Sequence, residues 1–172
     1  MRIDGLQKMT LLDFPGKVAC TVFTGGCNFR CPFCHNALLV TELPEKPDYT
    51  DDEILSFLKK RAGLLDGVAI TGGEPLMNPE IGDFIKEIRN LGYAVKLDTN
   101  GSYPDRLKTI VNEGLVDYVA MDIKNCKDKY AETIGLKSYD LSKIEESVEF
   151  LKSGKVDYEF RTTIVNEFHT VE

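Results

Sequence analysis

The sequence has no stretch near the roughly 18 uninterrupted apolar residues that a membrane-spanning helix needs. It also lacks a basic excess. Its 21 lysines and arginines face 28 aspartates and glutamates, a formal net charge of −7. That balance argues against nucleic acid as a bulk electrostatic partner. Met1 to Phe14 carries acids and no apolar core of the kind a signal peptide has. Low-complexity segments and linkers are missing too. These absences predict a cytoplasmic protein with no membrane and no nucleic-acid partner. The 172 residues, 42% hydrophobic, fit one domain over 1–172 with an ordinary buried core.

The five cysteines are Cys20, Cys27, Cys31, Cys34 and Cys126, an odd number that leaves no complete disulfide pairing. Three of them crowd into the short segment Cys27-Asn-Phe-Arg-Cys31-Pro-Phe-Cys34. In a reducing compartment such clustering points to metal binding. Thiolates are soft ligands that suit iron–sulfur clusters and zinc. Three from one loop can hold three corners of a cubane and leave its fourth iron open. The alternative is a zinc site completed by Cys20 or His35, although structural zinc prefers two paired ligand sets. Gly25-Gly26 lets the backbone turn closely and expose amides to an anionic cluster. Cys20 and Cys126 read as small hydrophobes.

Strand and helix signals alternate along the chain. Strands are predicted over Val18 to Phe23, Gly67 to Ile70, Tyr93 to Leu97, Val116 to Met121 and Val156 to Val165. Between them, Thr50 caps a helix to about Arg61, with acids in its first turn. Further helices run from Pro79 to Leu91, Pro104 to Glu113 and Leu141 to Leu151, the first two closed by Gly92 and Gly114. His169 to Glu172 looks like the start of another. This alternation predicts an α/β fold with a parallel sheet. A closed eight-fold barrel needs roughly 250 residues, so a partial barrel cut short after the fifth strand is expected.

In such folds chemistry gathers at the C-terminal strand ends, and each polar motif falls there. The cysteine loop follows the first predicted strand and Thr71-Gly72-Gly73-Glu74-Pro75 the second. Asp98-Thr99-Asn100-Gly101 follows the third and Asp122-Ile123-Lys124 the fourth. Arg161 lies within the fifth. Carboxylates suit a hard cation or an ammonium, while Lys and Arg suit a carboxylate. A plain alternative exists for each: a Gly-Gly turn with a surface Glu74, an Asx turn at Asp98, a solvated Lys124, a structural ion pair at Arg161. His35 and Asn36 follow the last cysteine, where a lone histidine is usually structural.

Cys27-x3-Cys31-x-Phe33-Cys34 resembles the signature of the radical S-adenosylmethionine superfamily. The resemblance implies a partial (β/α)6 barrel and a [4Fe–4S] cluster on Cys27, Cys31 and Cys34, whose open iron chelates S-adenosylmethionine. One-electron cleavage then gives methionine and a 5′-deoxyadenosyl radical. It also implies that Gly72, Gly73 and Glu74 meet the methionyl amino group and Phe33 the adenine. The motifs at Asp98-Thr99 and Asp122-Ile123-Lys124 resemble those of glycyl-radical-enzyme activases. There the acidic pair helps hold a monovalent cation near S-adenosylmethionine and the lysine meets its carboxylate, on which Arg161 could also fork. Leu11-Leu12-Asp13-Phe14-Pro15-Gly16 resembles the activase segment near the protein substrate, an implied contact for Asp13. Taken over nearly the whole chain, the pattern is most similar to the activating proteins of anaerobic ribonucleoside-triphosphate reductase. The implied partners are a glycyl radical enzyme as substrate and a flavodoxin- or ferredoxin-type electron donor. Three departures stand out: no second cysteine cluster follows Cys34, the chain ends before a further strand, and Asn166-Glu167 stands where activases often have Pro-Gly. A compact radical enzyme acting on a small molecule, similar to 7-carboxy-7-deazaguanine synthase, and a non-catalytic iron–sulfur or zinc protein remain alternatives.

Overall fold

The computed structural model describes residues 1–170. The strands are β1 (Ile3–Thr10), β2 (Ala19–Thr24), β3 (Gly67–Gly72), β4 (Ala94–Thr99), β5 (Tyr118–Asp122) and β6 (Asp157–Arg161). They lie in the order β1-β2-β3-β4-β5-β6. The five from β2 to β6 are parallel and are the five expected; β1 is added antiparallel on the β2 edge. This mostly parallel α/β sheet fits a partial barrel.

Two expectations change. The first is β1, which the sequence does not announce. It is an edge strand with several exposed residues and two register shifts, between Ile3 and Gly5 and between Gln7 and Thr10. Those bulges break the alternation by which a strand is read. The second is β6, which stops at Arg161, where its ladder with β5 ends at Asp122. Thr162 to Val165 leaves the ladder, tied by Thr162 Oγ1 donating to the Ile123 carbonyl (2.8 Å). The helix expected from His169 does not begin by Thr170, and Val171 and Glu172 lie outside the described residues.

The helices are α1 (Leu38–Thr41), α2 (Asp51–Lys59), α3 (Ile81–Asn90), α4 (Pro104–Asn112), α5 (Tyr130–Thr133) and α6 (Ser142–Lys152). Helix α2 starts at Thr50 with a reciprocal cap. Thr50 Oγ1 accepts from the Glu53 amide and Glu53 returns the bond to the Thr50 amide. Helix α3 buries Ile81, Phe84, Ile85 and Ile88, one stripe of a 3.6-residue period. At about 1.5–3 kcal/mol per fully buried aliphatic side chain, that stripe fastens it to the sheet. Helix α6 buries Ser147 together with Ile144 and Leu151. Ser147 Oγ donates to the Gly101 carbonyl (2.7 Å) and so anchors the loop after β4.

One sheet face is thus covered by helices through Cys20, Val22, Val68, Ile70, Val95, Leu97, Val119 and Met121. The residues between them alternate to the other face. There Lys96 and Asp98 of β4 meet Asp122 of β5 and Arg161 of β6.

Candidate functional site

The ends of β2 and β3 merge without side chains between them. Gly73 donates to the Thr24 carbonyl and Glu74 to the Gly26 carbonyl, both at 2.8 Å. A Cβ on Gly73 would lie 1.9 Å from the Gly26 carbonyl oxygen. Gly72 has φ +112, and a Cβ there would meet the Thr24 backbone at 2.4 Å. Only glycine fits either place. This contact launches the cysteine loop at a fixed angle, and Asn36 Nδ2 closes the loop onto the Gly72 carbonyl (2.9 Å).

Cys27, Cys31 and Cys34 are all partly exposed. They face a cavity of about 720 Å³ whose wall also includes Phe33, Gly72, Gly73, Asp98, Thr99, Asp122, Lys124 and Arg161. Eleven of the thirteen residues singled out from the sequence therefore share one space. Burial pushes the Cys27 thiol up to about 11 and raises that of Cys31, against which Lys124 pulls. Burial thus favours the protonated thiols of Cys27 and Cys31, whose protons a metal would displace. The Phe29 amide donates to Cys27 Sγ at 3.3 Å, and Asn100 Nδ2 lies 3.7 Å from the same sulfur. Such donors suit an anionic cluster. Among the described residues, no three His, Cys, Asp or Glu side chains converge on one ion. Cys20 is fully buried on the helix side of β2.

Glu74 is one of the two residues placed elsewhere. It is fully buried and outside the cavity wall. Its carboxylate accepts from the Leu76 amide (3.0 Å), Thr99 Oγ1 (2.8 Å) and the Asn100 amide (2.6 Å). Burial pushes it up to about 7 against those three bonds. Its oxygens bracket β3 to β4 in this structure. The neighbouring Gly72 and Gly73 reach the cavity instead.

Asp13 is the other. It accepts from Thr21 Oγ1 at 2.5 Å, while its neighbour Phe14 packs on Gly67 and Tyr118, the first residues of β3 and β5. That is the strand end opposite the cysteine loop.

The β4–β6 wall is a chain of charges. Asp98 Oδ1 accepts from Lys96 Nζ (2.5 Å) and Asp98 Oδ2 from Arg161 (3.3 Å). Asp122 accepts from Arg161 Nε (3.2 Å) and from Lys124 Nζ (2.9 Å). These carboxylates hold Arg161 and Lys124 further into their charged forms, against desolvation. Lys96 is the member that the sequence reading missed. It lies mid-strand with a side chain only 2% exposed, and a lysine there reads as an outward-facing residue. Its signal was the i, i+2 spacing to Asp98, which puts both on one face. The Asx turn offered as an alternative for Asp98 belongs to Asn100, whose Oδ1 accepts from the Ser102 amide (3.0 Å).

Phe33 is overlaid by the turn after β6. Its ring centroid is 5.5 Å from that of Phe168 and 6.5 Å from that of His169. His169 is part-buried, with Nε2 at 2.9 Å from the Lys124 carbonyl. His35 is exposed at the cavity rim.

Residues 21–167 match the family model of the Radical SAM superfamily. The Methanocaldococcus jannaschii protein MJ1227, whose name provisionally places it among glycyl-radical enzyme activating enzymes, is 32% identical over 170 residues, 95% of this chain and 68% of its own length. The pyruvate formate-lyase-activating enzyme of Clostridium pasteurianum is 33% identical over 74% of this chain, which spans about half (54%) of that relative. Among solved structures, anSMEcpe with bound AdoMet overlays 79% of this chain on 40% of its own with a TM-score of 0.59 at 21% identity, a likeness of fold.

Proposed function

Because this chain belongs to the radical SAM superfamily, a family that implies a [4Fe–4S] cluster and S-adenosylmethionine, we propose that it is a glycyl-radical-enzyme activase. The observation that carries this reading is the single cavity shared by the three cysteines and the cationic wall of Arg161 and Lys124. Relatives named as such activating enzymes support it. Cys27, Cys31 and Cys34 would hold the cluster. Arg161 and Lys124 would take the carboxylate of S-adenosylmethionine, and Gly72 and Gly73 would let its amino end approach backbone. Phe33 would offer its face to the adenine. When bound, the cluster and S-adenosylmethionine supply a one-electron sulfonium cleavage and a carbon radical that removes a hydrogen atom. The protein's part is to position, to neutralise charge and to keep water from the reacting end.

The hydrogen donor in this reading is a glycine Cα of a partner enzyme, with anaerobic ribonucleoside-triphosphate reductase as the specific partner. A flavodoxin- or ferredoxin-type protein is the proposed electron source. The test is anaerobic incubation of cluster-loaded protein with the partner, S-adenosylmethionine and a reductant, followed by EPR. A glycyl doublet on the partner is expected. S-adenosylmethionine cleavage without a doublet, but with turnover of a small substrate, would move the protein to the 7-carboxy-7-deazaguanine synthase type. Four irons bound with no cleavage at all would overturn both.

A further inference from the structure

We infer that Lys96 is the built-in counter-cation of this site, engaging Asp98 in place of the monovalent metal ion that the activase resemblance calls for, so that S-adenosylmethionine binding here needs no such ion. The inference rests on the S-adenosylmethionine reading above.

A hard cation needs several oxygen ligands at short range. Asp98 and Asp122 are the carboxylates the resemblance offers, and all four of their oxygens are engaged by side-chain cations. Lys96 takes Asp98 Oδ1, Arg161 takes Asp98 Oδ2 and Asp122 Oδ1, and Lys124 takes Asp122 Oδ2. Glu159 adds a weaker contact to Arg161, at 4.0 Å. An added metal ion would have to displace one of these groups. Arg161 and Lys124 can move, being 38% and 18% exposed. Lys96 cannot leave readily: its side chain is 2% exposed, and it sits mid-strand between Ala69 of β3 and Tyr118 of β5. A metal ion beside a retained ammonium would meet a like-charge repulsion that a site away from bulk water screens poorly. Stripping the ammonium of its partner instead leaves a buried, uncompensated charge.

Lys96 does not reach the cavity wall, whereas Asp98, Asp122, Lys124 and Arg161 do. It is therefore a positioning residue. It pins Asp98 from beneath, Asp98 aims Arg161, and the cavity keeps two cations toward an incoming carboxylate.

The experiment measures S-adenosylmethionine binding to cluster-loaded protein by equilibrium dialysis. Tetramethylammonium buffer is compared with potassium or sodium buffer at equal ionic strength. Wild type should change by less than about twofold, and Lys96→Met should bind at least about tenfold more weakly without metal ions, a loss of about 1.4 kcal/mol. Added potassium or sodium should restore much of that loss, a rescue that a merely structural lysine would not show. Lys96→Arg should keep the independence. A wild type that needs potassium or sodium by tenfold or more overturns the inference, as does a Lys96→Met protein that binds like wild type. Thallium-205 NMR of the apoprotein supplies a readout without cluster or S-adenosylmethionine. No saturable wild-type site is expected, and one that potassium displaces would overturn the inference. If circular dichroism shows Lys96→Met unfolded, the two wild-type measurements decide alone. If loaded wild type binds no S-adenosylmethionine in either buffer, the proposed function falls while the thallium result still judges Lys96.

Discussion

On its β2–β3 side the cavity is walled by backbone, and on its β4–β6 side by charge. The first wall stands because Gly72 and Gly73 carry no Cβ and because Gly26, Thr24 and Glu74 exchange bonds across the gap. The second stands because Lys96, Asp98, Arg161, Asp122 and Lys124 alternate in sign from the barrel interior to its rim. Steric contact is short-ranged and unforgiving, whereas part-exposed ion pairs are screened and adjustable. The backbone wall is thus suited to hold a rigid cluster loop, and the charged wall to accept a ligand that comes and goes.

Substitutions should expose this difference. The largest loss of stability is expected for Gly73→Ala, whose methyl would have to displace the Gly26 carbonyl. A cost of about 3 kcal/mol follows for such overpacking, read as a lowered denaturation midpoint. Glu74→Gln comes next. An amide cannot accept from all three donors, so one buried N–H or O–H loses its partner, at about 1–3 kcal/mol.

The same pair of proteins carries a pH signature. Glu74 titrates near 7 in the fold and near 4.5 unfolded, so the folded state keeps its proton longer. Its contribution is fully present below about pH 4.5 and is lost as pH rises to about 7. The stability of wild type minus that of Glu74→Gln should therefore shrink over that window. A flat difference, measured by denaturation at several pH values, would refute the shift.

Arg161→Met should cost little stability, within about 1 kcal/mol, because the guanidinium is 38% exposed and screened. It should nevertheless weaken S-adenosylmethionine binding about tenfold through the lost charge-assisted bond. A stability loss as large as that of Gly73→Ala would erase the contrast between the walls. The smallest effect on the apoprotein belongs to Cys31→Ala, under about 1 kcal/mol for a part-exposed thiol. Yet iron analysis should show the cluster lost. Retention of four irons would remove Cys31 from the ligand set.

The parallel strands and the helices of the β/α units were legible because burial repeats along them at fixed periods, as at Ile81, Phe84, Ile85 and Ile88. The cap at Thr50 was legible because it is local. Strand β1 was not, since an edge strand with two bulges shows no clean alternation. The cysteines and the strand-end motifs were legible as a set because strand ends converge in any parallel sheet. The roles within the set were less so. That Glu74 brackets β3 to β4 could not be read, and Lys96 passed unnoticed inside a strand.

By itself the sequence determined which residues could do chemistry and at which end of the sheet they would meet, because both depend on residue type and on spacing along one chain. Only the tertiary structure decided which of them face the cavity, that Gly73 touches Gly26, that Glu74 bonds to Thr99 and Asn100, and that the face Lys96 shares with Asp98 is buried and not solvated. Those outcomes depend on distances between strands, where one face of a residue is buried and the other is not, and no spacing within a single chain records them.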